Sequence, residues 1–226
     1  AEIETLVSRG CKEVTLIGQN VNSYGQTLSE RVDFAELLCM VNEVPGLERI
    51  RFTTSHPKDL SDRLIEALAS LPKVCEHLHL PLQAGSDRIL AMMNRGYTRG
   101  DYVDLVRRIR SAIPEASITT DLIVGFPGET EADFEATLAS VRALPFTYLH
   151  VFGYSDRPGT EAAGLPGRVA PRTIADRSRR LRALGQAKNL AFRRSLVGRV
   201  EEVLVLDTRE RATGRLVGLT GHYVEV

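Results

Sequence analysis

Residues 118–130, with the sequence ITTDLIVGFPGET, decide the fold that we predict for this chain. The apolar run at residues 122–124 predicts a strand buried on both faces, which is typical of a parallel sheet. Residues 126–128, Phe-Pro-Gly, cannot continue a ladder of backbone hydrogen bonds, so the chain turns there. Thr130 followed by Asp133 has the pattern of a helix N-cap with an acidic third position. The stretch therefore predicts a buried strand, a turn and a helix in direct succession.

Several side chains in and near these strands are candidates for chemistry. Ligands of parallel α/β sheets bind at the carboxyl ends of strands, and Gly125 lies at such an end, where a missing side chain lets a ligand approach the backbone. Glu129 is either a catalytic carboxylate or an acid that favours the start of a helix. His77 and His79 share one strand face and are either metal ligands or ordinary core histidines. The sequence has no Ser/His/Asp spacing, phosphate loop or zinc pattern.

Outward from this stretch, short apolar runs alternate with helical patterns. The predicted strands are at residues 14–17, 49–53, 77–80, 122–124 and 148–152. The predicted helices include residues 34–44, 87–93, 99–112 and 131–144. Five repeats of strand and helix predict a parallel sheet, either open or part of a (β/α) barrel. Because every predicted strand ends in polar, Gly or Pro residues, we expect an active site at that rim.

The pattern changes after residue 156. Residues 156–172 are rich in Gly, Pro and Ala, and residues 171–196 predict a long helix with an apolar stripe. From Arg199 the hydrophobic period becomes two, which predicts three short antiparallel strands that the chain barely completes. We therefore expect domains at residues 1–167 and 198–226, joined by a basic linker helix at residues 168–197.

Composition and charge narrow the function classes. The chain has 226 residues, 43% of them hydrophobic and 26% charged, and no apolar run long enough to span a bilayer. Three distant cysteines, Cys11, Cys39 and Cys75, suit a reducing cytoplasm better than a disulfide framework. The formal net charge is zero, yet residues 168–199 hold ten Arg or Lys residues and one acid. This stretch is either a local nucleic-acid contact or a solvated helix face.

Five turns together resemble one family. They lie at residues 15–25, 51–57, 78–87, 118–130 and 152–160, and they include the strings GQNVNSYG and FGYSDRPGT. They are similar to the methylthiotransferase family of radical S-adenosylmethionine enzymes, in family order and over nearly the whole chain. The similarity is strongest to the members that add a methylthio group to a hypermodified adenosine beside the tRNA anticodon.

The resemblance implies a partial (β/α) barrel of the radical S-adenosylmethionine type, followed by the start of a small antiparallel TRAM-like module that grips RNA. It implies cofactor contacts from seven residues at the strand ends and nearby turns. Gln19 and Asn20 would lie near the methionine end of the cofactor, Gln83 and Asp121 at its ribose, Arg95 at its carboxylate, and Gly125 and Phe152 at its adenine. Asp121 can accept both ribose hydroxyls, and Arg95 can bind a carboxylate with two donors.

The resemblance also implies partners. The tRNA anticodon stem-loop would be held at its phosphates by basic residues of the linker helix, namely Arg177, Arg180, Lys188, Arg193 and Arg194. The family needs an electron donor for its clusters, so we expect one here too. We expect no membrane partner, and cytoplasmic localisation.

One departure from the family is large. The family binds two [4Fe–4S] clusters, one of them through a Cys-x3-Cys-x2-Cys loop after the first strand, and the sequence contains no such triad. Thiolate ligands are obligatory for these clusters. Because Ala1 enters midway through a predicted helix, we expect this chain to be a fragment that holds no cluster, binds S-adenosylmethionine weakly at best and is inactive alone.

The sequence leaves three questions open. Another branch of the family modifies an aspartate of a ribosomal protein, although the turns at residues 18–20 and 54–57 favour the tRNA branch. Between tRNA targets, the N-terminal half favours isopentenyladenosine, and residues 149–160 and 218–226 favour threonylcarbamoyladenosine. A non-enzyme hypothesis is a cluster-free RNA-binding module.

Overall fold

The protein is described by a computed structural model that covers residues 1–25, 32–53 and 55–226. Thr54, which belongs to one of the five turns of the resemblance, lies outside the described residues. The chain forms two compact units. The first unit contains Ala1–His79, Arg108–Ser117 and Leu196–Val226, and the second contains Leu80–Arg107 and Ile118–Ser195.

The first unit begins with alternating helices and strands. Its elements are α1 (Glu2–Ser8), β1 (Glu13–Ile17), α2 (Phe34–Asn42), β2 (Arg49–Thr53), α3 (Asp62–Ser70) and β3 (His77–His79). Strands β1 and β2 pair in parallel, with Glu13 opposite Arg49 and Ile17 opposite Thr53. Asp33 and Ser61 cap α2 and α3 by accepting backbone N–H groups, as short polar side chains do at helix starts. Parallel pairing at these positions confirms the predicted βα repeats.

The core of the first unit lies between these helices and β2. Phe34 and Leu38 of α2 are buried, as are Ile50 and Phe52 of β2, and the rings of Phe34 and Phe52 lie edge to face with centroids 5.4 Å apart. Both faces of β2 are buried: Ile50 and Phe52 point to one face, and Arg49 and Arg51 point to the other.

The second unit contains the strand within residues 118–130. Its elements are α4 (Asp87–Met92), α5 (Arg99–Ala112), β4 (Ser117–Val124), α6 (Glu131–Ala143), β5 (Tyr148–Gly153) and α7 (Pro171–Ser195). The last residues of α5 and the first residue of β4 belong to the first unit. Strands β4 and β5 are parallel, with Thr119 opposite Tyr148 and Val124 opposite Gly153. Thr130 and Asp133 form a reciprocal capping box at the start of α6. The strand, turn and helix are therefore confirmed.

The chain ends in a small antiparallel pair that belongs to the first unit. Strand β6 (Val203–Arg209) pairs with β7 (Leu216–Thr220). The predicted third strand is present in short form: residues 224–226 pair antiparallel with β7 through three backbone hydrogen bonds and a bridge between Leu219 and Glu225. Tyr223 lies in the preceding turn, with a left-handed φ of 64°. The predicted fold class, a mixed α/β fold with parallel sheets and a small antiparallel sheet at the C-terminus, is confirmed.

Two buried arginines of β2 bind the end of β7 and the residue that follows it. The Nε atoms of Arg49 and Arg51 each lie close to one carboxylate oxygen of Glu13, at 3.0 and 2.9 Å. Nη1 of Arg49 and both Nη atoms of Arg51 donate to the carbonyls of residues 219–221 at 2.5 to 3.0 Å. Each arginine thus has the countercharge of Glu13 and at least one backbone carbonyl as partners, whereas Nη2 of Arg49 has no hydrogen-bond partner among the described residues.

In the described part of the chain, none of the helices is both long enough and apolar enough to cross a lipid bilayer.

Candidate functional site

In the second unit, three of the predicted contact residues lie on neighbouring backbone segments. Gln83 donates its backbone N–H to the carbonyl of Asp121 at 2.8 Å, and Ile123 donates to the carbonyl of Gln83 at 2.9 Å. On the other side of β4, Asp121 is opposite His150 and Ile123 is opposite Phe152. Gln83, opposite Leu122, and Phe152, opposite Ile123, therefore lie on the two sides of the C-terminal half of β4, which carries Asp121, and their contacts with a cofactor stay predictions.

One face of this region is open. Asp121 and Ile123 are half-buried, whereas Leu122 and Val124, which point to the other face, are buried. Phe152 is 52% exposed, and its ring stacks on His150 with centroids 6.5 Å apart. A carboxylate beside exposed aromatic rings suits a ligand with both hydroxyl groups and a flat heterocycle.

Gly125 follows β4 in a backbone conformation that favours glycine. Its φ is 80°, in the left-handed region that side chains disfavour. A Cβ there would lie 2.4 Å from Cγ1 of Ile174, on the first turn of α7. The same isoleucine lies 3.1 Å from the corresponding Cβ position of Gly153, at the end of β5. The start of α7 therefore covers both strand ends, which the sequence did not indicate.

Arg95 lies in the turn after α4. Its Nε is buried and has no hydrogen-bond partner among the described residues. Tyr97, two residues later, donates its hydroxyl to the carbonyls of Pro81 and Leu82 at 3.1 and 3.2 Å. Burial raises the pKa of Tyr97 to about 12, so it stays a donor at neutral pH. This bond ties the turn that carries Arg95 to the segment that leads into Gln83.

Gln19 and Asn20 lie in the first unit, in the turn after β1. Asn20 donates its amide to Asp59 at 2.6 Å, and its Oδ1 accepts the backbone N–H of His56 at 3.3 Å. Burial raises the pKa of Asp59, but hydrogen bonds from Ser23 and Asn20 outweigh it and lower that pKa. Asn20 thus joins the turns after β1 and β2, while Gln19 is exposed. Their predicted place at the methionine end of the cofactor stays a prediction.

The basic residues of α7 fall into two groups. Arg177 is buried and donates to Glu129 and Glu131, both at 2.8 Å. Arg180 pairs with Glu131 and Glu135, and its guanidinium lies 4.7 Å from the Phe134 ring centroid.

Lys188 reaches the end of α6, where it donates to the carbonyl of Leu144 at 2.7 Å. Burial lowers the pKa of Lys188. Arg193 and Arg194, in the last turn of α7, are exposed. Of the five residues that were predicted to bind RNA, these two have the accessibility that a phosphate contact requires. Counting charges in the sequence could not separate the paired arginines from the exposed ones. The acids that pair with Arg177 and Arg180 lie on and just before α6, about 45 residues earlier.

Glu129 is neither a catalytic group in the open region nor merely an acid at a helix start. Its side chain is 1% exposed, and its Oε2 accepts the backbone N–H of Gly125 at 2.8 Å as well as Nη1 of Arg177. Burial raises its pKa, although both of these donors favour the ionised carboxylate. The carboxylate therefore holds the turn after β4.

Comparison with known proteins identifies the family of this chain. The family model described as the radical SAM superfamily matches residues 1–141, which is more than half of the chain. The chain belongs to the radical SAM superfamily. Two solved structures with this fold are similar at low sequence identity, and they support the fold alone.

Coproporphyrinogen III oxidase from Escherichia coli, described as a radical SAM enzyme, has a TM-score of 0.59 and 18% identity, and the match covers 82% of this chain and 44% of that chain. A radical S-adenosylmethionine methyltransferase from Kitasatospora setae has a TM-score of 0.52 and 18% identity, over 67% of this chain and 29% of that one.

Curated relatives within the radical SAM superfamily are much more similar in sequence. Proteins named tRNA-2-methylthio-N(6)-dimethylallyladenosine synthase are 52% identical in Frankia alni and 50% identical in Pelotomaculum thermopropionicum. Each match covers 96% of this chain but 44% and 48% of the relative. The chain thus spans about half the length of the curated relatives that it matches. The resemblance to methylthiotransferases is confirmed.

The superfamily implies S-adenosylmethionine and a [4Fe–4S] cluster, and this chain fits the two groups differently. Asp121, Gln83, Arg95 and Phe152 supply a carboxylate, an amide, a guanidinium and an aromatic ring, which are the group types that suit a cofactor with ribose, carboxylate and adenine. The cysteines do not fit a cluster, because Cys11, Cys39 and Cys75 do not join any group with metal-binding geometry among the described residues.

Proposed function

We propose that this chain is part of a tRNA methylthiotransferase that adds a methylthio group to N(6)-dimethylallyladenosine, the isopentenyl-modified base next to the anticodon. The observation that carries the proposal is the strand-end group of Gln83, Asp121 and Phe152, in a chain that is about 50% identical to proteins named for this reaction. The names of these relatives favour the isopentenyl substrate over the threonylcarbamoyl one.

The cofactor site follows from the donors and acceptors at the strand ends. We place the ribose hydroxyls at Asp121 and Gln83, the carboxylate at Arg95 and the adenine between Gly125 and Phe152. Bound to a reduced [4Fe–4S] cluster, S-adenosylmethionine supplies the radical chemistry. The thiolates for that cluster, and for a second one, belong in this proposal to the part of the relatives that the chain does not match. The whole protein would need an external electron donor for these clusters.

The RNA partner in this proposal is the anticodon stem-loop of a tRNA. Arg193 and Arg194 are exposed at the end of α7, just before the C-terminal β segment, and are placed to neutralise phosphates. Because the proposed substrate is a tRNA, we also propose that the protein acts in the cytoplasm. We assign no RNA contact to Arg177, because its guanidinium is buried and paired with two carboxylates.

The experiment is mass spectrometry of nucleosides from tRNA of a strain that lacks the whole gene. We expect loss of the 2-methylthio group from N(6)-dimethylallyladenosine, restored by the wild-type gene and not by an Asp121→Ala gene, because the alanine removes the ribose acceptor. Persistence of the methylthio group would contradict the proposal. Loss from threonylcarbamoyladenosine instead would correct the substrate.

The same strain tests the ribosomal-protein branch and the RNA-binding module. The ribosomal-protein branch predicts a mass change in a ribosomal protein and unchanged tRNA nucleosides. A cluster-free RNA-binding module predicts neither change. The wild-type phenotype in both measurements would therefore leave RNA binding as the function, and it would exclude the methylthiotransferase.

A further inference from the structure

A buried ion pair lies directly behind the strand ends of the proposed cofactor site. The side chains of Arg177 on α7 and Glu129 before α6 are 6% and 1% exposed, and their Nη1 and Oε2 atoms are 2.8 Å apart. The same Nη1 lies 3.3 Å from the backbone carbonyl of Glu129. The other guanidinium nitrogens donate to Glu131 at 2.8 and 3.2 Å. All three nitrogens of the guanidinium therefore face acceptors of one segment, residues 129–131.

The Glu129 carboxylate also accepts a hydrogen bond from the backbone. Oε2 of Glu129 accepts the N–H of Gly125 at 2.8 Å, so one oxygen joins the arginine to the residue that follows β4. Hydrogen bonds between a backbone N–H and an ionised carboxylate are roughly twice as strong as neutral ones. Removing the arginine would leave the carboxylate buried without a countercharge, a situation that it relieves by taking up a proton or admitting water.

The helix that carries Arg177 also packs on the same glycine. Ile174, three residues earlier and on the same face of α7, occupies the space that a Cβ of Gly125 would need. One helical face thus fixes Gly125 in two ways, through Ile174 by packing and through Arg177 by way of Glu129. Both contacts converge on the turn after β4.

We propose that Arg177 and Glu129 are positioning residues for S-adenosylmethionine, which hold Gly125 against the adenine end of the cofactor. This inference rests on the proposed function, since it assigns the adenine to Gly125. It reverses the expectation from the sequence: the arginine in the basic run serves the cofactor rather than the RNA.

The test measures two dissociation constants on the full-length protein with reconstituted clusters. Equilibrium dialysis gives the constant for S-adenosylmethionine, and filter binding gives the constant for tRNA. In Arg177→Met we expect weaker binding of S-adenosylmethionine by about tenfold or more, the scale of one charge-assisted hydrogen bond, with tRNA affinity within about twofold. Arg179→Met is the matched control, because Arg179 is on the same helix and its side chain is 74% exposed.

A double variant distinguishes a specific loss of cofactor binding from a general failure to fold. Glu129→Gln with Arg177→Met removes both charges and keeps an oxygen that accepts the Gly125 N–H. We expect it to bind S-adenosylmethionine more tightly than Arg177→Met alone, because no uncompensated charge is left buried. A general loss of folding would lower both affinities in the single variant, and the double variant would then not restore the affinity for the cofactor alone.

The outcomes separate this inference from the proposed function. If the wild-type protein does not bind S-adenosylmethionine, the proposed function is wrong and the inference fails with it. If the wild type binds, but Arg177→Met binds S-adenosylmethionine as tightly and tRNA more weakly, the inference alone is overturned. Equal loss of both affinities in the single and double variants overturns it as well.

Discussion

The two ends of α7 use the same residue type in opposite ways. Near its start, Arg177 is buried among carboxylates and acts on the strand end of β4. In its last turn, Arg193 and Arg194 are exposed. A run of basic residues in one helix therefore contains a structural part and an accessible part. The two parts differ because the acids on and just before α6 pair with the arginines near the start of α7.

The largest effect should come from breaking the pair at the start of α7. Arg177→Met should lower the free energy of unfolding by about 3–5 kcal/mol, because it leaves Glu129 charged and buried. The double variant with Glu129→Gln should recover most of that loss. Urea unfolding followed by circular dichroism measures both variants. A loss under about 1 kcal/mol in the single variant would show that Glu129 does not depend on Arg177 for its countercharge.

A second test concerns the contact between α7 and the strand end. Gly125→Ala should cost about 1–2 kcal/mol from its left-handed backbone alone, before the overlap with Ile174 is counted. Adding Ile174→Ala should make the Gly125→Ala change less costly, since it removes the overlapping atoms. The coupling energy comes from a double-mutant cycle of urea midpoints. Strict additivity would contradict the contact.

A third test uses Asp133, an acid of α6 that is bound by residues outside α7. Burial raises the pKa of Asp133, but bonds from Arg88, Ser86 and Thr130 outweigh it and hold that pKa below its usual range. A lowered pKa stabilises the fold above the pKa of the unfolded chain, near pH 4, and this stability is lost as the pH falls further.

Asp133→Asn should therefore cost about 1 kcal/mol at pH 7, the scale of a capping interaction. Thermal unfolding between pH 3 and pH 7 should then show a smaller loss of stability on acidification than in the wild type. An equal loss in both proteins would exclude Asp133 as a source of the pH dependence.

The smallest effect on stability should come from the last turn of α7. Arg193→Met with Arg194→Met should change the free energy of unfolding by less than about 0.5 kcal/mol, as exposed substitutions usually do. If both contact phosphates, tRNA affinity should fall and the slope of log K against log salt should decrease by about two. An unchanged slope would mean that the exposed arginines form a solvated helix face.

Local patterns in the sequence predict most of the fold. The apolar run before Gly125 and the cap at Thr130 specify a strand, a turn and a helix through neighbouring residues, so they could be predicted. The short third strand at residues 224–226 was predicted too, but its pattern did not indicate that the chain turns at Tyr223 with a left-handed φ. Likewise, Arg177 pairs with acids that are 46 and 48 residues away, and no periodicity within α7 indicates them.

The candidate site shows the same limit. Gln83, Asp121, Gly125 and Phe152 were named from turn residues and family resemblance, and strand pairing brings Gln83 and Phe152 to either side of β4. Their supports, Ile174 and Tyr97, were missed, because each acts on a residue that is distant in sequence. The sequence therefore indicates which polar and aromatic residues lie along the strands, but not the distant contacts that hold them.

The central claim is that Arg177 acts through Glu129 on the backbone of Gly125. The exchange rate of the Gly125 amide hydrogen, measured by NMR in wild type, Arg179→Met and Arg177→Met, tests this claim most directly. We predict slow exchange in the first two and exchange faster by about tenfold or more in Arg177→Met, with amides in the middle of β4 unchanged. Equal exchange at Gly125 in all three proteins would contradict the account.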